Sequence, residues 1–435
     1  MLSDEWCRRL AGYDRWFLGL SGGLDSTVLL HILSGLPDAQ KKLTAVHCNH
    51  GLSQDADSWS EHCAQQCLSL GIPLIVEKLC FNAGSNIEEH ARNARYVALA
   101  KLLKTNDACC VAHHADDQAE TVLLHLMRGA GIEGLSAMSA ERSLGLGTLA
   151  RPLLEHSRQL LVDYAHAHQL TWVEDASNQE LNFARNYVRH AVIPVLLKKW
   201  PHSVARLGVT AEHCQQASRH LSRLAAQDSE SLIDKQINVA PLLNLSADRL
   251  QNVLRKWLIN NRVRIPSVGW FQCLIGELVY AAGDAQPCLR TGPWLIRRYR
   301  HVLYLTEVHV EPSYSPCIWE NFPAPLSLTP DGPYVYARPA KTGIYVPLGS
   351  VVQVKFRAGG EKVRWLSHSK TLKALFQEWG VPPWARNTVP LIYLDDCLVA
   401  VAGIDRDISQ SGASGTIFSI HMANSMDLCT HTELE

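Results

Sequence analysis

A chain of 435 residues is too long for one ordinary hydrophobic core, so two to four domains are expected. Its 47% hydrophobic and 19% charged residues describe a soluble globular protein, and no run approaches the eighteen apolar residues of a membrane span. A net charge of −1 excludes a global field for nucleic acid, so such a partner would have to be held by local basic patches. The opening MLSDEWCRRL carries early acids and no apolar h-region, which argues against a signal peptide. The 13 cysteines include the adjacent Cys109-Cys110 and no CxxC pair. They read as reduced core residues of a cytoplasmic protein without a zinc ribbon or CxxC redox site, and no membrane partner is expected.

Residues 14–154 alternate between two periods. Strand-like apolar runs fall at 16–20, 43–48, 73–79, 108–112 and 148–153, with helix-like segments between them at 27–33, 56–70, 86–104 and 117–128. That rhythm predicts an α/β fold with a doubly wound parallel sheet, whose ligands sit outside the C-terminal strand ends.

The first strand runs into Ser21-Gly22-Gly23-Leu24-Asp25-Ser26 and then a helix start. Two glycines allow a tight turn and close backbone approach, while helix N–H groups and the macrodipole favour phosphate. Asp25 is out of place in a phosphate cradle unless a cation lies between it and the nucleotide, which argues for Mg²⁺. The loop lacks the lysine of G-x-x-x-x-G-K-[ST]. SGGxDS instead resembles the PP-loop signature of enzymes that cleave ATP between the α and β phosphates.

After the second strand, His47-Cys48-Asn49-His50-Gly51-Leu52 lies on the expected ligand edge, where His50 could meet the adenosine. The helix from Asn86 places Glu88, Arg92 and Arg95 on one face, either as an ion-pair ladder or with an arginine free to neutralise phosphate. Ala112-His113-His114-Ala115-Asp116-Asp117-Gln118-Ala119-Glu120-Thr121 ends the fourth strand. Asp116 is expected to cap the next helix, while Asp117 and Glu120 share its N-terminal face, where two carboxylates can hold Mg²⁺ or an ammonium group. Residues 132–147 read as a loop, a mobile lid or a plain connection, and Ser157 as the cap of a helix to about His168. Arg185 and Arg189 are one turn apart on a helix that Pro194 should interrupt or close.

SGGLDS, VHCNHGL, EEHARNARY, AHHADDQAET and EDASN…ARNYVR…IPVL occur in that order across roughly the first 200 residues. Together they resemble the tRNA(Ile)-lysidine synthetase family. Further on, a helical connector is expected at 203–228. A core helix at 246–260 should present Leu250, Val253, Leu254, Trp257 and Leu258, and a second helix is expected at 268–280. Arg290, Arg297, Arg298 and Arg300 suggest phosphate contacts or a solvated strand face. The run FRAGGE…SKTLKALFQEWGVPPWAR…PLIY, with a helix at 369–379, resembles that family's C-terminal domain. One departure is Val401-Ala402-Gly403, where a proline commonly precedes the glycine.

The resemblance implies a PP-loop ATPase domain over 1–205, a mainly helical tRNA-contacting domain over 206–320 and a small α+β tRNA-binding domain over 321–435. It implies that ATP adenylates the C2 carbonyl oxygen of the wobble cytidine in a CAU-anticodon tRNA(Ile). The ε-amine of free L-lysine then displaces AMP to leave lysidine. Ser21, Gly22, Gly23, Leu24, Asp25, Ser26 and His50 are assigned to ATP, with Asp25 also on Mg²⁺. Asp117 and Glu120 are assigned to the lysine ammonium or metal, and His113, Arg92 and Arg185 to the adenylated intermediate. No covalent nucleophile is needed, and a homodimer is the assembly left open. A PP-loop tRNA sulfurtransferase, which would need reactive or cluster-binding cysteines, and a non-catalytic RNA-binding protein are the alternatives.

Overall fold

The structure, a computed structural model, describes residues 1–49, 51, 56–79, 87–174, 180, 182–282, 285–308, 314–330, 332–347, 349–365, 368–404 and 416–423. The chain forms two compact units, Met1–Gln227 and Asp228–Glu435. Among the described residues no helix is long and apolar enough to cross a membrane.

The first unit opens with helix α1 (Asp4–Ala11), whose start Ser3 caps by accepting from Trp6 N. The strands β1 (Arg15–Gly19), β2 (Leu43–Asn49), β3 (Leu74–Lys78) and β4 (Asp107–Cys110) follow, with α2 (Leu24–Ser34), α3 (Ala39–Lys42), α4 (Ala56–Leu70) and α5 (Ile87–Leu102) between them. After β4 come α6 (Ala115–Met127), α7 (Ile132–Leu135), β5 (Glu141–Leu144), β6 (Gly147–Ala150) and α8 (Arg158–Ala167). The sheet order is β3-β2-β1-β4-β6-β5, parallel except for the antiparallel edge strand β5. Neighbouring residues Phe17 and Leu18 pack into separate cores on opposite faces, Phe17 with Val46, Leu99 and Cys109, Leu18 with Val28, Leu29 and Leu161. Helices therefore cover both faces, and this is why these strands read as continuous apolar runs rather than as alternation.

Three local expectations are corrected. Residues 132–147 are not structureless: they hold α7 and β5, which turns into β6 through Gly145 at φ +57°. An edge strand tolerates the polar Glu141-Arg142-Ser143, so no apolar run advertised it. Pro194 does not close its helix, although the α-helical ladder is interrupted just before it. Short helix α9 (Ala184–Tyr187) widens into a π-helical turn (Val188–Val192) and continues as α10 (Ile193–Lys199), where Pro194 sits in the first turn and its missing N–H costs little. Asp116 does not cap α6: the carboxylate that accepts from the N-cap residue, His114 N, belongs to Asp117 at 3.1 Å, and Asp116 accepts from Arg158 N instead. Helix α11 (Ser203–Asp228) ends the unit.

In the second unit, α12 (Ala247–Asn260) buries the five expected residues, Leu250, Val253, Leu254, Trp257 and Leu258. It is followed by α13 (Val268–Cys273), which runs on as a π-helical segment to Val279. Strands β7 (Gln236–Asn238), β8 (Cys288–Thr291), β9 (Trp294–Tyr299) and β10 (Val302–Glu307) make an antiparallel sheet in the order β7-β10-β9-β8. Arg298 is on its buried face, donating to the carbonyls of Leu278 and Val279 at 2.6 Å each, so it is a structural tie and not a phosphate contact. Beyond it lie three further antiparallel sheets, one of strands within 317–401, one pairing 334–345 with 417–423 and a two-stranded one pairing 362–365 with 368–371. The expected helix at 369–379 starts later, at Leu372, because Thr371 caps it and Ser369-Lys370 belong to a strand pair.

Candidate active site

Strands β1 and β4 are neighbours, with Leu18 beside Cys110, and the strand order reverses between them. The crevice outside such a reversal is where a doubly wound sheet accepts a ligand. The two strongest motifs leave the C-terminal ends of these two strands.

The loop from β1 to α2 is a cradle of small residues. Gly22 has φ +83°, which disfavours any side chain, and a Cβ there would come within 3.1 Å of Cys63 Sγ. Ser26 Oγ accepts from Ser21 N at 3.2 Å and donates to Gly23 O at 3.0 Å, with Ser21 Oγ 3.0 Å away. Val173 N donates to Gly22 O at 2.9 Å, laying the segment 171–174 along the loop. Gly23 is the N-cap of α2 and brings no side chain, so the helix N-terminus stays open to an anion. Leu24 turns its side chain into the core and offers only backbone. Asp25 stands in the first turn, its Oδ1 buried without a hydrogen-bond partner.

An orphaned carboxylate oxygen beside a glycine cradle fits a divalent cation. Among the described residues no three His, Cys, Asp or Glu side chains form a metal cage. A Mg²⁺ ion here would therefore be shared between Asp25 and substrate phosphate oxygens, the usual habit of that ion.

The loop from β4 to α6 meets this cradle through a residue the sequence reading passed over. His114 is buried, with Nε2 3.6 Å from Asp25 Oδ2 and 3.5 Å from Asp117 Oδ2, and Nδ1 3.7 Å from Asp116 Oδ2. Burial works against its charge, but the three carboxylates outweigh it and push the pKa up to about 10. His113 is the opposite case. Burial, reinforced by Arg151, outweighs the pull of Asp117 and drives its pKa down to about 3. Arg151 Nε donates to His113 Nδ1 at 3.2 Å, so the neutral ring carries its proton on Nε2. Arg151 closes the next strand, β6, at the same sheet edge. The strand-end rule that singled out the other motifs could have found it.

Asp117 and Glu120 share the face of α6 as expected, and two arginines close on them. Arg185 Nε and Arg189 Nε donate to Glu120 Oε2 and Oε1 at 2.7 and 2.5 Å, and each arginine also reaches Asp117 Oδ1 at 3.0 Å. Glu120 is wholly buried. Burial would raise the Asp117 pKa, but His114, Arg185, His113 and Arg189 hold it at about 2. Arg185 lies in α9 and Arg189 in the π-helical turn that follows that helix. Arg92 stays on the exposed face of α5, over the Tyr96 ring at 5.6 Å, and its charge is felt at His113. His50, Asp175, Ser177 and Asn178 lie outside the described residues, as does the Glu88 side chain.

Comparison with known proteins agrees with this geometry. The chain matches the family described as PP-loop domain over residues 4–196, the TilS substrate binding domain over 237–304 and the TilS substrate C-terminal domain over 352–416. It is 44% identical over 405 residues to the tRNA(Ile)-lysidine synthase of Legionella pneumophila (strain Lens), covering 93% of this chain and 94% of that one. The tRNA(Ile)-lysidine synthase of Coxiella burnetii is 40% identical, with 91% and 90% covered, and that of Pseudomonas aeruginosa 41% identical, with 89% of each covered. With a PP-loop domain and two further domains of this family matched, and relatives aligned over nearly the full length, the chain belongs to the tRNA(Ile)-lysidine synthase family.

Proposed function

We propose that this protein uses ATP to join free L-lysine to C2 of the wobble cytidine in a CAU-anticodon tRNA(Ile). The observation that carries this reading is the near full-length likeness to lysidine synthases. In the first step the cytidine C2 carbonyl oxygen attacks the α-phosphorus of ATP and pyrophosphate leaves. In the second the lysine ε-amine attacks C2 and AMP leaves with the oxygen. A pyrimidine carbonyl oxygen leaves poorly until it is esterified, so stabilising charge on the phosphates is the main demand.

Ser21, Gly22, Gly23 and Ser26 are assigned to the β,γ-phosphates, with backbone and hydroxyl groups in place before substrate arrives. Leu24 contributes through its backbone, and His50 is assigned to the adenosine. Asp25 is assigned to Mg²⁺, which would supply charge neutralisation to the departing pyrophosphate. His113, neutral at Nδ1 and protonated at Nε2, can donate a hydrogen bond to the adenylated cytidine without adding charge. Arg92 and Arg185 are assigned to the phosphate of that intermediate, and Asp117 and Glu120 to the lysine α-ammonium. In the structure Arg185 is paired with both carboxylates, and Arg189 shares them. Each substrate then enters by taking over part of an existing ion pair, which avoids leaving a bare charge in the buried site.

A sulfurtransferase would need an activated thiol nearby. Burial instead pushes Cys63, which lies against the cradle, up to about 12, and Cys109 in β4 likewise. The test is incorporation of labelled lysine into tRNA(Ile) transcripts with ATP, read together with pyrophosphate release. Lysine-dependent labelling of the CAU transcript is expected. Pyrophosphate release without lysine incorporation, or sulfur in the product nucleoside, would refute the reading.

A further inference from the structure

The sheet of the second unit has two unlike faces. Ile237, Ile296, Arg298, Leu303 and Leu305 alternate onto the buried one. The other carries Tyr304 on β10, directly opposite Arg297 on β9 and Gln236 on β7. The turn at Pro383–Ala385 sets Trp384 beside this face, edge-on to Tyr304 with centroids 5.4 Å apart at 77°. The Arg297 guanidinium lies 5.1 Å from the Trp384 ring centre, and its Nε is buried without a hydrogen-bond partner. Lys235, Thr306, Tyr314 and Thr388 complete an open cavity of about 460 Å³. That volume is within the range of small-ligand sites, roughly 300–1,000 Å³.

A solvent-open half-cavity of aromatic rings with Arg297, Lys235 and a single acid, Glu307, on its walls asks for a flat π system joined to an anion. An unstacked nucleotide has both: its base can meet an aromatic face whatever its identity, and its phosphate can meet the guanidinium. A purely apolar ligand would leave the charges of Arg297 and Lys235 unanswered, and an acidic peptide would leave the rings unused. We propose that this cavity captures one unstacked nucleotide of the bound tRNA, its base against Trp384 and Tyr304 and its phosphate on Arg297 and Lys235. The inference rests on the tRNA substrate proposed above and adds the element of it that the second unit holds.

The test uses the full-length chain. Ultraviolet cross-linking to tRNA(Ile), followed by mass spectrometry, should find a nucleotide adduct on Trp384 or Tyr304. Trp384→Ala should weaken tRNA binding about tenfold, inside the roughly 5- to 150-fold span of single-base stacking contacts, while leaving ATP affinity unchanged. Trp384→Phe keeps an aromatic face and should recover most of that loss. Arg297→Gln should also weaken binding and should reduce the salt dependence by about one phosphate contact. The cross-link on the unmutated chain decides the matter even if Trp384→Ala destabilises the turn. If the unmutated chain binds and modifies tRNA while Trp384→Ala binds equally well and no adduct forms in the cavity, the inference is overturned and the proposed function stands. If the unmutated chain neither binds nor modifies tRNA, the proposed function itself fails.

Discussion

His114 Nε2 lies 3.6 Å from Asp25 Oδ2, so the loop after β4 brings a cation to the carboxylate of the loop after β1. Its neighbour His113 is held neutral, and the two histidines therefore impose opposite pH dependences. In the unfolded chain both titrate near 6.5. From pH 6.5 down to about 3 the unfolded chain takes up a proton that folded His113 refuses, so stability should fall as the solution is acidified. From pH 6.5 up to about 10 folded His114 keeps a proton that the unfolded chain has lost, so stability should fall again as pH rises. Denaturation midpoints should peak near pH 6.5. His114→Gln should flatten the alkaline limb and His113→Gln the acid limb; limbs unchanged in both variants would contradict the assignment.

Glu120 holds two arginines in a fully buried position. Replacing it by glutamine leaves both guanidiniums short of a counter-charge, and removing one partner of a buried pair typically costs about 3–5 kcal/mol. Urea denaturation of Glu120→Gln should show a loss of that order. Under conditions where the variant remains folded, its apparent KM for lysine should rise more than its ATP dissociation constant. An unchanged KM with collapsed ATP binding would move Glu120 to the nucleotide.

Gly22→Ala meets two obstacles, a left-handed backbone and the Cys63 sulfur 3.1 Å from the new methyl group. The backbone alone costs about 1–2 kcal/mol. ATP affinity should drop at least tenfold, about 1.4 kcal/mol. Adding Cys63→Ala should relieve the contact and restore only part of the loss, because φ is unchanged. Full restoration, measured by titration calorimetry, would show that the backbone conformation is not what the cradle needs.

Asp25→Ala removes the orphaned buried oxygen and one of the three carboxylates around His114. Pyrophosphate release should be abolished while tRNA affinity stays within a few-fold, since Asp25 lies in the phosphate cradle and in no basic patch. Near-normal release by the variant would rule out its assignment to the cation.

Much of this protein is legible in its sequence because local physics settles it. Apolar run length and glycine placement locate the parallel strands and the phosphate turn, and the 3.6-residue spacing of Leu250, Val253, Leu254, Trp257 and Leu258 names the buried face of α12. The polar edge strand β5 and the continuation of the helix past Pro194 escape such a reading. One depends on pairing with β6, and the other on a π-helical turn that repositions the chain before the proline. The site divides in the same way. Residue types mark Asp25, Asp117 and Glu120 as chemically unusual, but only strand order sets the loop after β4 beside the loop after β1, and only the folded backbone turns His114 rather than His113 toward Asp25. Only the packing of Arg185 and Arg189 onto α6 shows both carboxylates already paired. A charge is defined by its neighbours in space. Those neighbours are 65 and 69 residues away along the chain, beyond the reach of any local pattern.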